Sequence, residues 1–228
     1  FNRLTSLDSL LIDGTLNTIS GFAALTQIKQ LTLYSSFVGT SKGTFPALTT
    51  VGGLRSTNQD LCGLRLPKLT SVTGNVTLVK NHCSLAPLLT VATIDGNLIM
   101  QEDVPTGSEL HEGPASLTKV GGDFTLKVDP DSITGYNRLQ SIGGTLTIET
   151  IHTDTLNGFK GLTSLGGLSI KGDGLSVEGF SKLTTVGGSV NIQLESGIFA
   201  PTFSALGAVT SIKGSLTIST PRGCSLSK

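Results

Sequence analysis

The sequence predicts an all-β fold, a parallel β-solenoid of about ten coils with a 22-residue repeat. Three observations carry that prediction. A frame of the form F-x-x-L-T-x-V-G-G-x-L-x-I recurs along the chain, clearest from Phe180 through Leu183, Val186 and Val190 to Ile192, and again over Tyr136 to Ile148 and Phe159 to Ile170. Its last position falls at Ile12, Leu33, Ser56, Leu78, Met100, Leu126, Ile148, Ile170, Ile192 and Ile218, at intervals close to 22 residues with two of 26. Glycine pairs at 52–53, 121–122, 143–144, 166–167 and 187–188 keep the same period, which the interior of a helical repeat would not tolerate. A unit this short cannot bury its apolar face alone, so successive units must stack.

Within each frame the elements follow from local pattern. The alternation L-x-I is the period of a strand with one face buried. The preceding F-x-x-L-x-x-V, with apolar residues every third position, predicts short extended pieces joined by bends. The glycine pairs predict a corner in every coil, where the backbone needs positive φ or close approach to its neighbour. Stacking at about 4.8 Å per coil would make a body roughly 45 Å long, with ladders of like residues inside. One ladder is largely aromatic (Phe22, Phe45, Leu66, Tyr136, Phe159, Phe180), and another runs through Leu25, Leu48, Leu69, Leu117, Leu139, Leu162 and Leu183.

The unbroken repeat predicts a single domain over residues 1–228, with departures at three places. Residues 101–114 (QEDVPTGSELHEGP) form a polar insertion and are expected to be a surface loop. Residues 198–203 (IFAPTF) are apolar and are expected to pack over the side of the solenoid. Residues 219–228, with a proline and a glycine, are expected to be a C-terminal cap or linker. The chain opens at Phe1 already inside a repeat, which suggests a segment of a larger extracellular protein.

Sixteen basic residues balance sixteen acidic ones, so no global field draws in nucleic acid or an anionic membrane. No apolar run approaches the ~20 residues that a membrane-spanning helix needs, so no direct membrane insertion is expected. Three cysteines fit neither a disulfide-dense miniprotein nor a zinc site. Cys62 and Cys83 stand about one repeat apart, on adjacent coils. The spacing predicts a disulfide between them, the alternative being two small buried thiols. Cys224 is left over.

The frame, preceded by Gly-Phe or Gly-Tyr at Gly21-Phe22, Gly135-Tyr136, Gly158-Phe159 and Gly179-Phe180, resembles the receptor L domain. That is the leucine-rich β-helix of the insulin and EGF receptor ectodomains and of related fungal GPI-anchored cell-wall proteins. The resemblance covers nearly the whole chain and implies a right-handed β-solenoid on an extracellular or cell-surface protein. It transfers no ligand-contacting residue, because the matching positions are the buried frame. The cysteine-rich module and dense cysteines of a receptor ectodomain are missing from this sequence. An ordinary leucine-rich repeat would place Asn two residues past the strand, where Thr150, Gly172 and Thr220 stand here.

The familiar catalytic motifs are missing from the sequence, and no catalytic residue, cofactor or metal site is expected. His82, His111 and His152 occupy unrelated parts of the repeat. Asp129 and Asp131 read as a solvated Asp-Pro turn, and Glu102, Asp103, Glu109 and Glu112 as a solvated loop. Parallel β-helices host carbohydrate-cleaving enzymes, but those need carboxylates clustered across neighbouring coils. The outward strand positions here are nearly free of carboxylates.

Those positions instead hold Thr77, Thr125, Thr145, Thr147, Ser169, Ser189, Asn191, Ser215 and Thr217. A second threonine column comes from L-T-x-V at Thr5, Thr26, Thr49, Thr70, Thr118, Thr163 and Thr184. Threonine suits a pleated exposed surface and bonds along a ladder. A flat hydroxyl-rich face would also suit a repetitive partner such as a glycan, a neighbouring copy or an ice lattice. Asn75-Val76-Thr77 is an N-glycosylation sequon with Asn75 facing out. The leading expectation is a non-enzymatic extracellular structural or adhesion module, partnered by other copies, neighbouring domains or glycans. A receptor-like ligand-binding domain is the alternative, with Tyr34, Phe37 and Phe199 as off-frame aromatics. An ice- or glycan-binding protein is the third.

Overall fold

The computed structural model describes residues 1–14, 16–34, 37–57, 64–79, 88–101, 110–151, 153–173, 175–195, 202–203, 205–220 and 225–226. It is an all-β parallel solenoid. The L-x-I segments become one ladder of parallel strands, from Ser6–Asp13 in coil one through Gln27–Tyr34, Thr50–Thr57, Val76–Val79, Leu98–Gln101, Phe124–Lys127, Ser141–Glu149, Ser164–Asp173 and Val190–Glu195 to Leu216–Ser219 in coil ten. Register is strict because a one-residue slip would turn every leucine to solvent. Leu98, Phe124, Leu146, Leu168 and Val190 therefore lie in one row, each wholly buried or nearly so.

About eight turns, not ten, are enclosed on both sides. The first and last frames add strands to the ladder but have a neighbouring coil on one side only. Leu4, Leu7 and Leu10 are accordingly half-buried, and Leu216 is 52% exposed where its equivalents are buried.

The F-x-x-L stretch is a tight turn rather than bent extended chain. In every coil the fourth residue's N–H donates to the first residue's carbonyl, as in Leu4 to Phe1, Leu69 to Leu66, Leu139 to Tyr136 and Val209 to Leu206, at 3.0 to 3.3 Å. Spacing three is the i to i+3 closure of a turn. It points the first and fourth side chains inward together.

The glycine pairs need close approach rather than positive φ. Among the described glycines, Gly14, Gly21 and Gly135 have positive φ, and none of them belongs to a pair. A Cβ at Gly52 would overlap the carbonyl of Lys29, one at Gly121 that of Asp95, and one at Gly143 that of Gly121. Successive corners stack too closely for a side chain between them.

The third side of the coil is built differently in the two halves. Leu16–Ile19, Phe37–Thr44 and Leu64–Arg65 make a three-stranded sheet. Leu110–Glu112, Ser132–Thr134, Thr155–Leu156, Ser176–Val177, Thr202–Phe203 and Ser225–Leu226 make a separate six-stranded one. Of the stretch read as an insertion, Gln101 ends a strand and 110–112 starts the second sheet, while 102–109 lie outside the described residues. Of residues 219–228, Ser219 closes the last ladder strand and Ser225–Leu226 pairs with Thr202–Phe203. Phe203 is in register with Val177. Residues 198–201 and Cys62, Cys83 and Cys224 lie outside the described residues.

The core follows the same division. Phe1 stacks on Phe22 at 5.5 Å with Phe45 tilted against it at 5.4 Å, and Tyr136, Phe159 and Phe180 stack at 4.9 and 5.5 Å. Leu66, Leu88 and Pro114 fill the same rung position between them. Phe124 meets the second stack edge-on, 5.3 Å from Tyr136 and 6.1 Å from Phe159.

Candidate functional site

The outward residues of the main ladder form three parallel columns. The middle one is Leu11, Thr32, Arg55, Thr77, Ile99, Thr125, Thr147, Ser169, Asn191 and Thr217, each paired with the next through the strand register. Six of the nine face residues singled out from sequence are thus brought into one line: Thr77, Thr125, Thr147, Ser169, Asn191 and Thr217. No hydrogen bond among the described residues engages the hydroxyls of Thr77, Thr125, Thr147, Ser169 or Thr217. They are free to meet something outside.

The other three, Thr145, Ser189 and Ser215, belong to the flanking column beside the glycine corner, and that column is committed to holding coils together. The Asn97 N–H donates to Asn75 Oδ1, the Asp123 N–H to Asn97 Oδ1 and the Thr145 N–H to Asp123 Oδ1, each at 2.8 Å. The Ser215 N–H and hydroxyl reach Ser189 Oγ at 3.2 Å. In four of the coils one side chain thereby accepts a backbone donor that the corner would leave without a partner. Asn75 is exposed, and its amide nitrogen, the atom that would carry a glycan, has no partner among the described residues.

Five of the seven L-T-x-V threonines are also committed. Thr26 Oγ1 donates to the Thr5 carbonyl at 3.0 Å, Thr49 to Thr26 at 3.1 Å, Thr163 to Gln140 at 3.0 Å and Thr184 to Thr163 at 3.2 Å. Their hydroxyls are struts between turns. Two free threonine columns side by side, which an ice-binding face would need, are not what this arrangement offers.

The third outward column is charged in its later half. Lys127 pairs with Glu149 at 2.8 Å within it, and Lys171 approaches Glu195, one outward position beyond the column, at 3.9 Å. These exposed pairs contribute little to stability. Asp129, read from sequence as a turn residue, accepts the Ile151 N–H at 2.8 Å and so ties two coils.

In coils two to four the face changes character. Gly52, Gly53 and Gly74 form the floor of an open depression of about 640 Å³. Its walls are Lys29, Gln30, Thr32, Tyr34, Arg55, Asn75 and Thr77, and its one aliphatic lining residue, Leu54, is buried. Tyr34 is 37% exposed. A side chain at Gly53 would overlap Gln30 Oε1, so the glycine is what lets the Gln30 amide lie across the floor. Lys29 is paired with Asp8 at 2.7 Å, and that carboxylate holds its ammonium above the ordinary lysine range. No described residue is hydrogen-bonded or ion-paired to Arg55.

Sequence reasoning picked out Tyr34 but missed Gln30 and Arg55. The signal was there: Arg55 is the one charged residue of the middle column, Tyr34 the one aromatic of the third, and Gln30 the longest side chain of the flanking column. Phe37 belongs to a strand of the three-stranded sheet, whereas Phe199, His82 and His152 lie outside the described residues. Among the described residues no three His, Cys, Asp or Glu gather as metal ligands, and no helix is long and apolar enough to cross a membrane. No protein-family model, no curated protein and no solved structure matches this chain, and the resemblance of its frame to the receptor L domain stands on its residues alone.

Proposed function

We propose that the chain is a non-enzymatic structural and adhesion module of the cell surface, a receptor-L-domain-like solenoid that holds one flat polar face rigid and presents it to partners. The observation that carries this reading is the division of labour among the outward polar residues. Two columns are spent on coil-to-coil bonds, while the middle column keeps its hydroxyls free over successive rungs. A rigid polar surface loses little entropy on engaging a partner, so many weak contacts can sum. In this reading Cys62 and Cys83 are bridged, and the partners are further copies, neighbouring domains or glycans.

The test is to isolate the native material without reduction, image it by electron microscopy and measure its intact mass. Ordered fibres, or a large surface polypeptide containing this solenoid, are the expected result. A free monomer with an enzymatic turnover overturns the reading. A receptor-like ligand-binding domain is the second reading, and the exposed Tyr34 at the rim of the depression favours it. That reading requires a protein ligand to protect Tyr34 on binding.

A further inference from the structure

We infer that the depression of coils two to four is a binding site for an acidic saccharide, with Arg55 taking the carboxylate of a uronic-acid unit and Tyr34 packing against the sugar ring. The inference names a ligand class for the adhesion reading and rests on that reading for its setting.

Four features converge on that class. The volume, about 640 Å³, is that of a site for one or two sugar units, within the range of small-ligand pockets. The walls offer both donors and acceptors: Gln30 Oε1, the Asn75 amide nitrogen and the hydroxyls of Thr32 and Thr77, with Gln30 Nε2 donating to Thr32 Oγ1 at 3.4 Å and Asn75 Oδ1 already accepting the Asn97 N–H. A ligand bearing many hydroxyls satisfies such a ring, whereas a peptide would need apolar pockets, and Leu54 is buried beneath the floor. A single aromatic stands at the rim, where Tyr34 supplies an apolar plane with a polar tip. The charge balance is specific as well. Lys29 is paired with Asp8, while Arg55 is exposed, and its guanidinium is the one in the depression that no described residue compensates. Arginine binds a carboxylate bidentately, fixing orientation as well as charge.

The glycine corner recurs at 121–122, 143–144, 166–167 and 187–188, so it is the side chains around it that set this stretch apart. With Gly52 and Gly53 in one coil and Gly74 in the next, three neighbouring positions of the face carry no side chain. Gln30, Tyr34 and Arg55 stand around that gap. Beyond Thr77 and the intervening Ile99, the free hydroxyls of the middle column resume at Thr125 and Thr147 and run away from the depression along the sheet. A linear polysaccharide anchored in the depression would have that line to follow.

The test is calorimetric titration of the 228-residue chain with oligogalacturonate, a neutral cello-oligosaccharide of equal length, oligoglutamate and inorganic phosphate, at low and at physiological salt. The expected result is binding of oligogalacturonate at least about tenfold tighter than of the neutral oligomer, weakening with salt. Arg55→Gln should remove about tenfold or more of that affinity and Tyr34→Leu several-fold, with unchanged melting temperatures. Lys127→Gln, on the same face but outside the depression, should leave binding unchanged. Equal binding of the neutral oligomer, equal binding of oligoglutamate, displacement by phosphate at matched concentration, or no binding of oligogalacturonate at about 10 mM each overturns the inference. Loss of saccharide binding in material that still forms a surface assembly removes the site alone. Saccharide binding by a chain that proves to be a free monomer removes the structural reading alone.

Discussion

In coils two and three the outward positions hold Gln30, Thr32, Tyr34 and Arg55, while in coils six to nine the flanking and middle columns hold Asp123, Thr125, Thr145, Thr147, Ser169, Ser189 and Asn191 and the third holds Lys127, Glu149, Lys171 and Gln193. Inside, the two regions are nearly the same: leucine rows in register, an aromatic stack and a turn closed by the same hydrogen bond. Their third sides nonetheless belong to separate sheets, and Leu66, Leu88 and Pro114 interrupt the aromatic column between them. The interior must repeat because each coil buries its apolar face against the next. The exterior is under no such demand, so what this protein recognises has to be sought where the outside departs from the repeat.

The largest expected effect tests whether the two stacks differ in depth. Phe159 is wholly buried and packed against Tyr136, Phe180 and Phe124, whereas Phe22 is only partly buried beneath the exposed Phe1. Phe159→Ala should cost about 3–5 kcal/mol in denaturant unfolding, and Phe22→Ala clearly less. Equal losses would mean that the first coils are as well packed as the later ones, and the comparison would fail.

The glycine corners give the next largest effect. At Gly143 an added methyl would strike the Gly121 carbonyl, so Gly143→Ala should cost about 1–3 kcal/mol. At Gly187 the nearest atom to an added Cβ is 3.6 Å away and φ is not positive. Gly187→Ala should therefore be neutral or stabilise by about 0.4–1 kcal/mol through the unfolded chain. Paired thermal melts of the two variants check this. A loss at Gly187 matching that at Gly143 would show that chain conformation, not space, requires the pair.

The corner ladder and the free column separate by a smaller margin. Removing the Asn97 side chain takes the acceptor from the Asp123 N–H, and Asn97→Ala should cost about 1 kcal/mol. Thr147→Ala removes a hydroxyl with no described partner from a half-exposed site and should stay within about 0.5 kcal/mol. If Thr147→Ala costs as much as Asn97→Ala, the middle column is structural too and its claim to be a binding face falls.

The same contrast decides what could be read in advance. The leucine rows, the strand register and the parallel stacking were legible because burial at period two leaves a pattern in the residue types. The turn was missed because spacing three admits both a bend and a closed i to i+3 bond, and the choice lies in the backbone. The corner glycines were recognised, but φ and crowding leave the same residue in the sequence. The threonine columns looked alike on the page. Only the register of neighbouring coils distinguishes Thr49, which donates to Thr26, from Thr147, which donates to nothing described. The depression was invisible for a related reason: Lys29, Arg55 and Asn75 are far apart in sequence and meet only because one coil is stacked on another.

Ser56 is the one inward ladder position of the early coils where the frame's apolar residue is replaced, and it tests the interior side of the comparison. It lies in register between Leu33 and Leu78, wholly buried, with no partner for its hydroxyl. A desolvated hydroxyl without a hydrogen bond costs free energy that a methyl would not. Ser56→Ala removes one oxygen and opens little space. It should stabilise the chain by about 0.5–1 kcal/mol, read as a higher denaturant midpoint at unchanged slope. The larger Ser56→Leu would restore the leucine row but must fit between Leu33 and Leu78, so its sign is set by the room those coils leave. A loss of stability in Ser56→Ala would mean that the hydroxyl is bonded after all. The early coils would then be held by a polar contact that the later coils do not need, and the interior, like the exterior, would differ between the two regions.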